Sequence, residues 1–160
     1  MNQDQIASYY RQASAFGANR VGLVVKLYDA ILEDLRRALE AIADGHIERR
    51  TEALNHALLI MAELEGVLDG DRAEEIAKQL RGFYSVTRAM VMEANARGSR
   101  EKIEKLVTLY QPLRQAWQQV ENDVATGKVV LPERDGLGRT QTISSYSGQQ
   151  SDGDRSAWNG

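Results

Sequence analysis

A chain of 160 residues, 42% hydrophobic and 27% charged, has the size and balance of one soluble globular domain with a genuine core. A net charge of −3 and a pI near 5.5 give no electrostatic reason to expect nucleic acid, and no apolar run approaches the length of about 18 residues that spans a membrane. The absence of cysteine excludes a disulfide framework and thiolate chemistry. The opening Met-Asn-Gln-Asp-Gln lacks the basic and apolar regions of a signal peptide, so the expected address is the cytoplasm.

The chain starts with a short leader, residues 1–17, that carries Ile6, Tyr9 and Tyr10. The first long helix is expected over 19–43, where Val21, Val24, Tyr28, Ile31, Leu35, Ala38 and Ile42 repeat at 3-4 spacing. Asn19 is its expected N-cap and Asp44-Gly45 its stop. A second seam over 47–68 places Leu54, Leu58, Met61, Leu64 and Leu68 in one row, with Ala57, Ile60 and Val67 alongside. The third, over 71–97, reads Ala73, Ile76, Leu80, Phe83, Thr87, Met90 and Ala94, with Ala77, Tyr84 and Val91 as a second column. Asp71 or Gly70 is placed to cap it. The fourth, over 99–125, reads Ile103, Leu106, Tyr110, Leu113, Trp117, Val120 and Val124, with Ser99 as its N-cap.

Connections of a few residues between these helices require antiparallel neighbours. The expectation is therefore all-α: an antiparallel up-down four-helix bundle over 18–126 with a short N-terminal leader helix. Pro112 removes one backbone hydrogen bond inside the fourth helix, and the unbroken seam across it favours a kinked helix over two separate ones. Gly66 and Gly82 are either surface glycines or points of close backbone approach. Beyond residue 127 the short apolar patch Lys128-Val129-Val130-Leu131-Pro132 gives way to Gly, Ser, Thr, Gln and Asp, the composition of a disordered polar tail. Tyr146 and Trp158 are its only aromatic residues.

Catalytic and metal chemistry find no footing. The only histidines are His46 and His56, and alanines stand three residues before each, so the Glu-x-x-His pairs of bundle metal sites are absent. No His-Glu-x-x-His, cysteine ligand set or glycine-rich phosphate loop occurs. The histidines read as solvated side chains, and acid pairs such as Glu63/Glu65 and Glu74/Glu75 as solvated helix faces. No cofactor is expected.

Binding remains. A bundle helix needs about three apolar residues in seven for its own core, and these helices carry a surplus: Leu23, Val25, Leu27, Leu32 and Leu39 on the first, Leu59, Ile60 and Val67 on the second, Val86 and Met92 on the third, Val107 and Leu109 on the fourth. The surplus belongs either to a broad core with scattered exposed apolars or to a surface groove for a partner helix.

The ordered set of motifs resembles a known family, the flagellin-specific export chaperones of bacterial flagellar assembly (FliS). Leu27-Tyr28-Asp29-Ala30-Ile31 looks like that family's Leu-Tyr-Asp-Gly-Ala-Ile signature, and Ala38, Ala41-Ile42 and Gly45 fit its continuation. Leu64 with Leu68-Asp69, then Ile76-Ala77, Leu80 and Tyr84, resemble the pattern that follows. Ala94-Asn95 and Leu113-Arg114-Gln115-Ala116-Trp117 match the later helices, and Tyr10 fits the family's leader tyrosine. The likeness spans about residues 6–124. Asn19-Arg20 replaces the usual Ser-Pro, Ala30 stands where glycine is common, and Pro112 and the long tail depart from the pattern.

The resemblance implies a cytoplasmic, non-enzymatic export chaperone. Its client is the disordered C-terminal segment of flagellin, which it keeps from premature polymerisation and hands to the flagellar export gate. A co-chaperone or anti-sigma factor is a further possible partner. It also implies that Ile6, Tyr9 and Tyr10 act as a lid, and that Ile60, Leu64, Val67, Tyr84 and Val91 line the client groove, although seam positions overlap the groove edge. Two rivals stand beside it: a homodimeric helical adaptor that pairs its surplus apolar faces with a second copy, and an all-α enzyme using scattered Arg and Glu side chains in the bundle interior.

Overall fold

A computed structural model describes residues 3–14, 16–68 and 74–131. Five helices follow one another: α1 (Gln3–Ser14), α2 (Ala18–Ala43), α3 (Ile47–Leu68), α4 (Glu74–Arg97) and α5 (Arg100–Ala125), with no strand among the described residues. Successive long helices pack on each other, and α5 closes the ring against α2, which makes the four-helix bundle. The leader is α1, laid along α5.

The helix ends follow local chemistry. Asp44 ends α2, and Gly45 at φ +71° turns the chain so that the His46 N–H reaches the Ala41 carbonyl at 2.8 Å and the Gly45 N–H reaches Ile42 at 3.2 Å. These bonds satisfy carbonyls that the helix leaves open, in a conformation that glycine adopts without strain. Gly98 at φ +60° does the same for α4, and a Cβ there would also lie 2.8 Å from the Arg50 guanidinium. Ser99 caps α5 by accepting from the Lys102 N–H.

At the start of α2 the structure departs from expectation. The helix begins at Ala18 with Gly17 as N-cap, and no side chain caps it. Asn19 thus lies inside the first turn and cannot cap. The N-cap thus falls two residues earlier than expected, directly after Phe16, which is buried on the core. The caps expected at Gly70 and Asp71 lie outside the described residues. Across Pro112, α5 runs as one helix. Gly66 and Gly82 meet nothing within 4 Å of a hypothetical Cβ, so both face open space and neither marks a close backbone approach.

The first seam is core as expected: Val21, Val24, Tyr28, Ile31, Leu35 and Ala38 are buried and Ile42 is half-buried. Because α2 packs on both α3 and α5, its buried face is wide, and it takes in Val25, Leu27 and Leu32 from the apolar surplus as well. On α4 the core row is Leu80, Tyr84, Thr87, Val91 and Ala94, while Phe83 and Met90 sit half-buried at its edge. Tyr84 and Val91 are therefore centre-line residues of the bundle.

Candidate functional site

The middle of the bundle is a hydroxyl-linked aromatic cluster. Tyr28 of α2 and Tyr84 of α4 share a hydrogen bond of 2.6 Å across the core. The Thr87 hydroxyl lies 3.0 Å from the Phe83 carbonyl and 2.8 Å from the Tyr110 hydroxyl of α5. A carbonyl can only accept, so the single Thr87 proton goes there and Tyr110 donates to Thr87. Tyr28 lies 6.0 Å from the Tyr110 ring and 6.4 Å from the Trp117 ring, and Phe83 meets Tyr110 edge-on at 5.3 Å. Burial pushes the Tyr28, Tyr84 and Tyr110 phenols well above the ordinary tyrosine range, so all three are neutral at physiological pH. No buried side-chain polar atom among the described residues lacks a partner.

Tyr84→Phe would leave the Tyr28 hydroxyl buried without its partner, at an expected cost of about 1–3 kcal/mol by urea denaturation. The double change with Tyr28→Phe should recover part of that loss. Strict additivity of the two single changes would show that the hydroxyls do not act as a pair.

The leader closes over this cluster from one side. Ala13 and Phe16 are buried, and the Phe16 ring sits 5.4 Å from Trp117. Tyr9 is half-buried and close enough to Tyr28 to perturb its phenol. Tyr10 is half-buried and donates its hydroxyl to Asp123 Oδ2 of α5 at 2.7 Å. That bond to a carboxylate raises the Tyr10 pKa and keeps the phenol a donor. Ile6 lies in α1, and its side chain falls outside the described residues.

The expected groove residues separate into two sets. Leu64, Tyr84 and Val91 are buried in the core, where a second chain cannot reach them in this conformation. Ile60 and Val67 are half-buried on α3. The contact of His56 Nδ1 with Asp34 Oδ2 at 2.6 Å sets the antiparallel register of α2 and α3, which brings Ala30 level with Ile60 and Leu23 level with Val67. Leu23, 44% exposed, and the half-buried pair thus fall along one side of the α2–α3 layer. The leader packs on α5, so the structure does not bring the lid and these groove candidates together.

Sequence reasoning missed the role of His56. Its side chain is exposed, as a solvated histidine should be, but its ring also holds the carboxylate of Asp34, which is 2% exposed, with Arg37 3.7 Å away. An acid on the flank of an apolar seam, 22 residues before a histidine on the next helix, was the available signal. The buried polar or charged residues among those described are Asp34 and Thr87, so no arginine cluster lies in the interior. No group of three or more His, Asp or Glu side chains among the described residues could hold a metal ion.

The motif residues mostly join helices. Asp29 receives Arg114 of α5 at 2.7 Å. Asn95 accepts from the Thr51 hydroxyl at 3.1 Å, and its backbone carbonyl accepts from Arg50 at 2.9 Å, which ties the end of α4 to the start of α3. Tyr28, Tyr84 and Trp117 build the core described above.

Residues 1–124 match the family model described as flagellar protein FliS. The bundle and that match define the class, an all-helical flagellar protein. Proteins named flagellar secretion chaperone FliS are similar to about two thirds of the chain. The Campylobacter jejuni protein is 28% identical over 116 residues, covering 69% of this chain and 91% of its own length. The Salmonella typhimurium protein is 27% identical over 110 residues, covering 68% and 82%, and the Bacillus subtilis protein 27% over 110, covering 69% and 81%. The chain belongs to the FliS family. No helix among the described residues is long and apolar enough to cross a membrane.

Proposed function

We propose that the chain is a cytoplasmic, non-enzymatic chaperone that binds the disordered C-terminal segment of flagellin and delivers it to the flagellar export gate. Family membership supports the client and the destination. The observation that carries the reading on this chain is the seated leader: a helix of its own, with Phe16 against Trp117 and Tyr10 on Asp123, already occupies an apolar seat along α5. A seat filled by an intrachain helix is a seat that a client helix can fill.

The leader residues Ile6, Tyr9 and Tyr10 then act as competitor, and Ile60 and Val67, with Leu23 level with Val67, offer a second strip on the opposite part of the ring. A wrapped segment touching both has the large contact needed to offset the cost of ordering a disordered chain, about 2–5 kcal/mol or more. Leu64, Tyr84 and Val91 support that surface from beneath.

Deleting residues 1–15 keeps Phe16 and should leave the bundle folded while tightening the flagellin C-terminal peptide. The gain should be about tenfold for a leader seated about nine-tenths of the time. Calorimetry with the full chain and the truncated one reads this directly. An unchanged dissociation constant would remove the competitor role. A client-free dimer by light scattering, with no peptide binding, would favour the homodimeric adaptor.

A further inference from the structure

The segment after α5 does not leave the bundle at once. Thr126 caps the helix, Gly127 at φ +70° reverses the chain, and the Asp123 carbonyl accepts from the N–H groups of Lys128 at 2.8 Å and Val129 at 3.2 Å. Val129 is half-buried, Val130 is 92% exposed and Leu131 is 6% exposed. That alternation is what an extended segment shows when one face lies on a core. The described part of the apolar patch, residues 128–131, is therefore a clip seated on the domain, whereas the sequence reading placed it in the tail.

The side chain of Asp123 faces both the leader and this clip. Its Oδ2 accepts from the Tyr10 hydroxyl at 2.7 Å. Its Oδ1 accepts from Gln119 at 2.9 Å and lies 3.9 Å from the Lys128 ammonium. The carboxylate is only 13% exposed, so water cannot readily replace a lost partner. One residue thus holds the N-terminal leader through its side chain and the C-terminal clip through its backbone carbonyl. We propose that Asp123 couples the two, so that leader and clip seat and release as one latch, and a segment that takes the α5 seat has to open both.

The coupling follows from geometry in the free chain, and its consequence for client access rests on the chaperone reading above. When Tyr10 leaves, the carboxylate loses its best donor and turns to the Lys128 ammonium, which pulls on the turn whose amides bond the Asp123 carbonyl. When Leu131 leaves its seat, the Lys128 and Val129 bonds open, and the α5 terminus that positions Asp123 for Tyr10 frays.

Hydrogen exchange on the full chain without client tests the latch with two mild variants, Tyr10→Phe and Leu131→Ser. Tyr10→Phe keeps the ring and removes only the bond to Asp123. Coupling requires it to speed exchange of the Lys128 and Val129 amides, and requires Leu131→Ser to speed exchange within residues 3–14, each by about tenfold. If each variant loosens only its own end, the latch is overturned. A second arm titrates both variants with the client peptide. Ends that loosen together with tighter peptide binding support latch and seat. Ends that loosen together at unchanged affinity uphold the latch and overturn the α5 seat as the client site.

Discussion

Replacing Trp117 with alanine should destabilise the bundle by about 3–5 kcal/mol, the range for removing a buried aromatic side chain. The indole is among the largest fully buried side chains and touches two separate parts of the molecule. On one side it meets Tyr28 of α2 at 6.4 Å, and on the other Phe16 of the leader junction at 5.4 Å. The bundle cannot collapse into the void without moving α2, whose seam is anchored along its length. Such a loss is a large fraction of the about 5–15 kcal/mol that holds a domain of this size together. Chemical denaturation followed by circular dichroism gives the midpoint. The change should also loosen the leader before global unfolding, because Phe16 loses its ring partner. A midpoint within the error of the parent chain would mean that the seat beneath the leader is not part of the cooperative core.

The second large effect is alkaline. The sequence has six tyrosines, and three of them, Tyr28, Tyr84 and Tyr110, are buried with phenols whose pKa burial raises. A raised folded pKa means that the stabilising contribution is fully present below the unfolded value near pH 10. Above it the unfolded chain releases protons that the folded chain retains, so stability falls as pH rises toward the folded pKa. Each such group contributes a slope of about 1.4 kcal/mol per pH unit in that window, and three together about 4. Once the pH has climbed well past the unfolded value, that slope is steep enough to unfold an ordinary domain. Phenolate absorbance and circular dichroism should therefore change together for these three residues. Stepwise ionisation of all six near pH 10 with helicity intact would contradict the buried hydroxyl network.

Tyr28 and Asp29 also explain why family and fold were more legible than the surface. The Leu27-Tyr28-Asp29 motif places a tyrosine on the seam and an aspartate beside it, and both make cross-helix bonds, to Tyr84 and Arg114. Residues that join helices must recur at fixed spacing, and fixed spacing is what a linear sequence displays. A client surface carries no such constraint. Ile60, Leu64 and Val67 sit on one stretch of α3 with the same chemistry, yet only Leu64 is fully buried. Val91 and Met90 are adjacent, yet Val91 is buried and Met90 only half-buried, and the core takes members of both expected rows. Periodicity says which residues share a face. Which neighbour covers that face is a property of the assembled bundle.

By itself the sequence determined the all-helical four-helix bundle, the turns at Gly45 and Gly98, the Ser99 cap and the family. Each rests on local chemistry or on spacing along one helix. Only the tertiary structure decided that Gly17 precedes α2, that the leader lies on α5, that His56 serves a buried Asp34, and that Leu131 returns to the core. Those facts depend on contacts between residues far apart in the chain, such as the 113 positions between Tyr10 and Asp123. Such contacts form only because the bundle first brings the distant segments together, and no local pattern records them.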